Sequence, residues 1–265
     1  MLTETTTAEG MRIWHARPDA TGPRPAVLLL HERYGPVEHS FVVLERMAEY
    51  GFVAAMPDLF HRYTGEREPI ESAQARVEIT DDEVIVDLDA TVRYLRSLPY
   101  VAPGGVGVAG FCLSGRAPIV YAAARPSDVA GICITHGGIY PRDYKGEPPG
   151  QASVAGLIPK LQCPILGMFG EKDWLVPMEY ISRFRRELER TGKSYWVRIF
   201  AGTPHGWMNA TQPDHYPTRY HARSAEIAWN ILSQFYTDVF DGAYDASAHT
   251  WLFQPDKDLA YDFSS

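Results

Sequence analysis

Short runs of consecutive apolar residues recur along this chain, with longer segments of helical period between them. Ala26 to His31, Gly51 to Met56, Gly105 to Gly110, Val129 to Thr135, Pro164 to Gly170 and Ser194 to Phe200 read as strands. These runs are apolar at nearly every position rather than at alternate ones, the pattern of strands covered on both faces. Between them, helices are predicted around Leu44 to Glu49, from Asp81 to about Leu98, and over Arg116 to Arg125, Met178 to Arg190 and Ala222 to Phe235. The fold class is therefore α/β: a three-layer α/β/α sandwich around a mostly parallel, twisted sheet. Residues 1–240 suit one domain. Two segments fall outside the alternation. One is the polar, proline-containing stretch from His61 to Gln74. The other is a tail from Asp241 to Ser265 that carries Tyr244, Trp251, Phe253, Tyr261 and Phe263. That many aromatics argue against disorder, so the tail is expected to pack on the domain or on a second subunit.

Composition narrows the class of partner. The chain has 265 residues, 45% hydrophobic and 22% charged, with a formal net charge of −8. A diffuse negative charge disfavours nucleic acid and anionic membranes, both of which are bound through basic patches. It leaves room for a small anionic substrate, because one local arginine outweighs a diffuse field. The N-terminal residues lack the basic start and apolar core of a signal peptide. No run approaches the roughly 18–20 apolar residues that span a bilayer. The three cysteines are far apart and form no metal-ligand pair, so the expectation is a cytoplasmic protein, a monomer or homodimer, without metal or organic cofactor.

The chemistry concentrates at strand ends. Val106 to Ala109 runs into Gly110-Phe111-Cys112-Leu113-Ser114-Gly115 and then into a helical segment: strand, sharp turn, helix. That is a nucleophile elbow with sulfur at the reactive position. A cysteine nucleophile needs a base, and the base needs a carboxylate to orient it. Asp173 follows the strand ending at Gly170, and His205 follows the strand ending at Phe200. The order nucleophile, acid, histidine, each after a strand, is that of the α/β-hydrolase fold. Simpler roles exist for each residue. Ser114 is a rival nucleophile, but its elbow would put Arg116 where a small residue belongs. Asp173 could cap the following helix, although Glu179, its nearest rival as the acid, lies inside that helix. His31 and His136 also follow strands, where structural hydrogen bonding is the expected role. Cys133 and Cys163 read as inert, buried thiols.

Together with His31-Glu32-Arg33-Tyr34-Gly35, Met56-Pro57-Asp58-Leu59-Phe60, Phe169-Gly170-Glu171-Lys172-Asp173 and Pro204-His205-Gly206, the elbow makes the chain resemble the dienelactone hydrolases, the carboxymethylenebutenolidase-type α/β-hydrolases, over about residues 10–240. The resemblance implies Cys112 as nucleophile, His205 as base, Asp173 as its carboxylate, and Glu32 as a second carboxylate touching the thiol. It implies an oxyanion hole from the backbone N–H groups of Leu113 and Arg33. It places Arg67 at the substrate-carboxylate arginine by an ungapped count, with Arg62, Arg76 and Arg116 as other candidates for the pocket mouth. Tyr34, Trp207 and Asn209 are expected in the substrate pocket. Two positions depart from the family pattern: Asn209 where a second arginine is usual, and Ser114 where glycine is usual.

The expected activity is hydrolysis of an activated ester, an unsaturated lactone bearing a carboxylate, as in catabolism of aromatic compounds. Two other readings stay open: a general carboxylesterase or thioesterase acting on uncharged esters, and a ligand-binding protein of this fold without catalysis.

Overall fold

A computed structural model describes residues 2–7, 10–211 and 219–249. Its centre is an eight-stranded sheet in the order β1-β2-β4-β3-β5-β6-β7-β8. The strands are β1 (Leu2–Thr6), β2 (Arg12–Ala16), β3 (Ala26–Leu30), β4 (Val53–Pro57), β5 (Val106–Phe111), β6 (Val129–Thr135), β7 (Ile165–Gly170) and β8 (Tyr195–Phe200). The last six run parallel, whereas β1 and β2 form an antiparallel extension at one edge. The six apolar runs are β3 to β8. The two edge strands were not foreseen: β1 is mostly exposed, and neither carries a long apolar run.

Helices cover both faces. On one side lie α1 (Glu38–Glu49) and α8 (Ala222–Phe240). On the other lie α3 (Asp81–Arg96), α4 (Ala117–Ala124) and α7 (Met178–Arg190). Successive strand residues point to opposite faces, so Leu28 and Leu30 join the α3/α4/α7 core while Val27 and Leu29 join the α1/α8 core. All four are essentially inaccessible, each worth roughly 1.5–3 kcal/mol of burial. Short helices α2 (Glu68–Glu71), α5 (Pro141–Lys145), α6 (Val154–Leu157) and α9 (Ala246–His249) sit in the connections and at the C-terminal end of the described chain. At the start of α3, Thr80 Oγ1 accepts from the Glu83 N–H while Glu83 Oε2 accepts from the Thr80 N–H, a capping box worth about 1 kcal/mol. Of the predicted aromatic tail, the Tyr244 ring meets Phe235 of α8 edge-on at 5.5 Å, whereas Trp251, Phe253, Tyr261 and Phe263 lie outside the described residues.

Strand register aligns the chemistry. Leu30 pairs with Gly110, Phe111 with Thr135, Thr135 with Met168, and Gly170 with Phe200. The residues just beyond these pairs, among them Glu32, Cys112, His136, Asp173 and His205, therefore leave the sheet at one end. In an open parallel sheet the carboxyl ends of the strands are where ligand sites form.

Candidate active site

At the end of β5 the chain turns sharply enough to hold Cys112 at φ 53°, a left-handed conformation that costs a non-glycine residue about 1–3 kcal/mol. Surrounding contacts hold it there. A Cβ on Gly110 would run into the Ser114 carbonyl, and one on Gly137 into the carbonyl of Cys112 itself. Ser114 fits where glycine was expected because its Oγ turns inward, accepting from the Phe111 N–H at 3.1 Å and donating to the Leu30 carbonyl at 2.8 Å. With its hydroxyl bound this way and buried, Ser114 does not face the cavity as a rival to Cys112.

The Cys112 sulfur lies 3.1 Å from His205 Nε2, and His205 Nδ1 lies 2.8 Å from Asp173 Oδ2. Asp173 divides its oxygens. Oδ2 faces the histidine, while Oδ1 accepts from the N–H groups of Leu175 and Val176 at 2.9 and 3.2 Å. It thus braces the turn after β7 as well as the imidazole, but it does not cap α7, which starts only at Met178. Burial would push the His205 pKa down. The Cys112 sulfur and the Asp173 carboxylate outweigh burial and raise it to about 10. A protonated imidazole between sulfur and carboxylate is the arrangement that supports thiol-based acyl transfer.

A second histidine–carboxylate pair stands beside the first. Glu32 Oε1 accepts from His136 Nε2 at 3.0 Å, and Glu32 Oε2 accepts from Asn209 Nδ2 at 2.8 Å. Burial pushes the Glu32 carboxyl up, but these donors hold it at about 2. Its hydrogen bonds thus go to His136 and Asn209, where the resemblance pointed to the thiol. Asn209 lies behind Glu32 and off the cavity wall. His31 is structural: its Nε2 accepts from the Leu59 N–H and its Nδ1 donates to the Glu32 carbonyl, both near 3 Å.

The site opens into a cavity of about 530 Å³ lined by Glu32, Arg33, Tyr34, Cys112, Leu113 and His205, with Tyr140, Trp174 and Leu175 around them. Leu113 and Arg33 both reach its wall, as an oxyanion hole requires, and Tyr34 lines it as expected. Besides Asn209, two more predicted pocket residues do not. Arg67 donates to both oxygens of the buried Asp58, at 2.9 and 3.3 Å, and to the Phe60 carbonyl. It neutralises that carboxylate and stays off the cavity wall. Trp207 is fully buried, its ring centroid 4.5 Å from that of Phe200, and belongs to the α1/α8 core.

The cations that line the cavity are instead Arg33, Arg76, Arg142 and Arg219. Arg142 donates to both oxygens of Glu78, at 2.8 and 3.2 Å, and Arg76 shares Glu78 at 2.6 Å, so one carboxylate serves two guanidiniums. Arg219 lies over the Trp174 ring at 4.5 Å. Of these, sequence reading proposed only Arg76 for the mouth; Arg142 and Arg219 sit on connections whose path no periodicity predicts. Tyr140 was also missed. Its hydroxyl lies 3.9 Å from the Cys112 sulfur and 3.3 Å from the His136 carbonyl. Burial, and then Cys112, raise its pKa well above the ordinary tyrosine value, so it remains a neutral phenol. Among the described residues no cluster of three or more His, Cys, Asp or Glu could hold a metal ion, and no helix is long and apolar enough to cross a membrane.

Residues 11–240 match the model of the dienelactone hydrolase family. A putative carboxymethylenebutenolidase of Methylorubrum extorquens is 28% identical over 84% of this chain and 75% of its own length. A probable 2-oxo-3-(5-oxofuran-2-ylidene)propanoate lactonase of Bradyrhizobium is 29% identical over 85% of this chain and 88% of its own. Among solved structures, a putative dienelactone hydrolase from Klebsiella pneumoniae superposes with a TM-score of 0.78 at 24% identity, covering 89% of this chain and 98% of that one.

Proposed function

The chain belongs to the dienelactone hydrolase family of α/β-hydrolase-fold enzymes, and from that premise we propose that it uses Cys112 to hydrolyse an activated ester or lactone bearing a carboxylate. The observation that carries this reading is the unbroken line Asp173–His205–Cys112 opening onto an arginine-lined cavity. The Cys112 thiolate adds to the carbonyl carbon, and the Leu113 and Arg33 N–H groups receive the developing oxyanion. Collapse expels the alkoxide or enolate, which takes the proton from His205 Nε2. Water, giving a proton to the same nitrogen, then attacks the thioester and expels the thiolate. Asp173 holds the ring and stabilises its charged form in both halves. A thiolate leaves more readily than an amine, so esters and lactones suit this site better than amides.

The substrate class follows from the wall. Arg33, Arg76 and Arg142 line it with Glu32, and Glu78 lies beside two of them, a local excess of positive charge in a chain of net charge −8. That favours an anionic substrate, with Arg142 and Arg76 in the role first assigned to Arg67. The Bradyrhizobium relative is named for a substrate that is both a lactone and a carboxylate, and it supports the same class here.

The test is a comparison of kcat/KM for a carboxylated dienelactone, a neutral lactone and a short acyl ester. Cys112→Ala abolishes turnover on all three; retained hydrolysis would remove the proposed nucleophile. In the intact enzyme the carboxylated lactone leads, and equal values across the panel would favour the neutral-ester reading.

A further inference from the structure

Tyr140 has one hydroxyl proton and two acceptors. The His136 carbonyl lies 3.3 Å away and the Cys112 sulfur 3.9 Å, both on the long side for a hydrogen bond. The ring is buried, at 9% exposure, yet the side chain lines the cavity. Its position relative to the sulfur is set by the backbone. His136 adopts φ 39°, and Gly137 and Gly138 then pack directly on the elbow, where a Cβ at either position would strike the backbone of Cys112 or Gly115. The segment carrying Tyr140 is therefore braced against the turn carrying Cys112. Besides His205, the hydroxyl is the side-chain donor within reach of the sulfur among the described residues.

A hydroxyl shared between a neutral carbonyl and a sulfur whose charge comes and goes will follow the charge, because hydrogen bonds to ionised acceptors are roughly twice as strong as neutral ones. We infer that Tyr140 is a catalytic residue of this enzyme, a phenol that donates to the Cys112 thiolate before attack and again as sulfur is expelled from the thioester. While sulfur is bonded to the acyl carbon it carries no charge, and the hydroxyl's hydrogen bond returns to the His136 carbonyl. No proton leaves the phenol at any step; only its hydrogen bond moves. The inference rests on Cys112 being the nucleophile, but its first consequence concerns the sulfur alone.

Tyr140→Phe keeps the ring and removes the donor. The readout is the pH dependence of Cys112 alkylation by iodoacetamide, with Cys112→Ala as the blank for Cys133 and Cys163. Loss of the donor moves the alkylation midpoint up by about one pH unit, the size of a tenfold change in thiolate population. With an ester substrate, kcat falls roughly tenfold, through slower expulsion of sulfur from the thioester where charge develops on it, and KM stays within about twofold. A merely structural tyrosine would change the melting temperature and leave the midpoint in place, and an unmoved midpoint overturns the inference. Should that variant not fold, 3,5-difluorotyrosine at position 140, a stronger donor of nearly the same shape, moves the midpoint down, and no movement again overturns it. A shifted midpoint in a protein whose Cys112→Ala variant still hydrolyses esters would uphold the hydroxyl–sulfur bond while rejecting Cys112 as nucleophile.

Discussion

Two histidine–carboxylate pairs lie side by side under the cavity, alike in burial and almost alike in length: Asp173–His205 at 2.8 Å and Glu32–His136 at 3.0 Å. Their rings meet edge-on, with centroids 5.1 Å apart. They nevertheless carry charge differently. His205 turns its second nitrogen to the Cys112 sulfur, and its pKa rises to about 10. Among the described residues His136 Nδ1 has no hydrogen-bond partner, and burial lowers the His136 pKa despite the carboxylate on its Nε2. A carboxylate alone does not make a buried histidine cationic; a third group of negative character does. The first pair, with Cys112 beside it, has the arrangement that the proposed proton transfer needs. The second pair holds an ionised glutamate in place against the wall of the site.

The comparison breaks most readily at the first pair. Asp173→Asn should lower kcat by on the order of 10³–10⁴-fold, by removing the charge that orients and stabilises the imidazolium. His136→Phe should lower kcat far less and stability more, by about 2–3 kcal/mol, because it strips a donor from a buried carboxylate. Steady-state kinetics and denaturant melts on the two variants decide this. Equal kinetic losses would mean that both pairs take part in the chemistry.

pH separates the pairs again. Glu32 is held below its ordinary value, so its contribution to stability is present above about 4.5 and is lost as pH falls through about 2. His205 is held above its ordinary value, so its contribution is full below about 6.5 and is lost as pH rises through about 10. Melting temperature measured across pH should therefore fall less steeply on the acid side in Glu32→Gln, where Asp58, Glu78, Glu83 and Asp173 still contribute, and lose its alkaline limb in His205→Gln. Each variant should leave the other limb in place, and interchange of the two effects would refute the assignment.

The smallest expected effect concerns the arginines. Arg142→Ala should cost about tenfold in kcat/KM on a carboxylated lactone and little on a neutral one, roughly 1.4 kcal/mol of discrimination. Arg67→Ala should destabilise the fold, since it takes from the buried Asp58 one of its two guanidinium partners and leaves Arg12, but leave that discrimination unchanged. A loss of discrimination in Arg67→Ala alone would restore the family's arginine to this enzyme.

Sequence reading succeeded where local pattern and function coincide. Apolar runs predicted β3 to β7 because a strand buried on both faces must be apolar throughout, and β8, half-exposed at the sheet edge, because aromatic and β-branched residues crowd it. The elbow was legible because a turn this tight needs small neighbours in the chain around Cys112. It failed where a residue's partner is distant in sequence. Arg67 and Arg76 look alike in a string of letters, and Asp58 claims one while the other reaches the cavity. Trp207 sits two residues from His205 but packs into the α1/α8 core, which the path of the turn after β8 decides and composition does not.

The chain by itself determined the layered architecture and the placing of Cys112, Asp173 and His205 after successive strands, since these depend on periodicity and on residues placed at strand ends. Only the tertiary structure decided which cations line the cavity, that Glu32 is tied to His136 and Asn209, and that Tyr140 reaches the sulfur. Those facts are set by strand register and loop packing, which bring together residues far apart in the chain. They are properties of distance, and distance between remote residues is not written in local sequence.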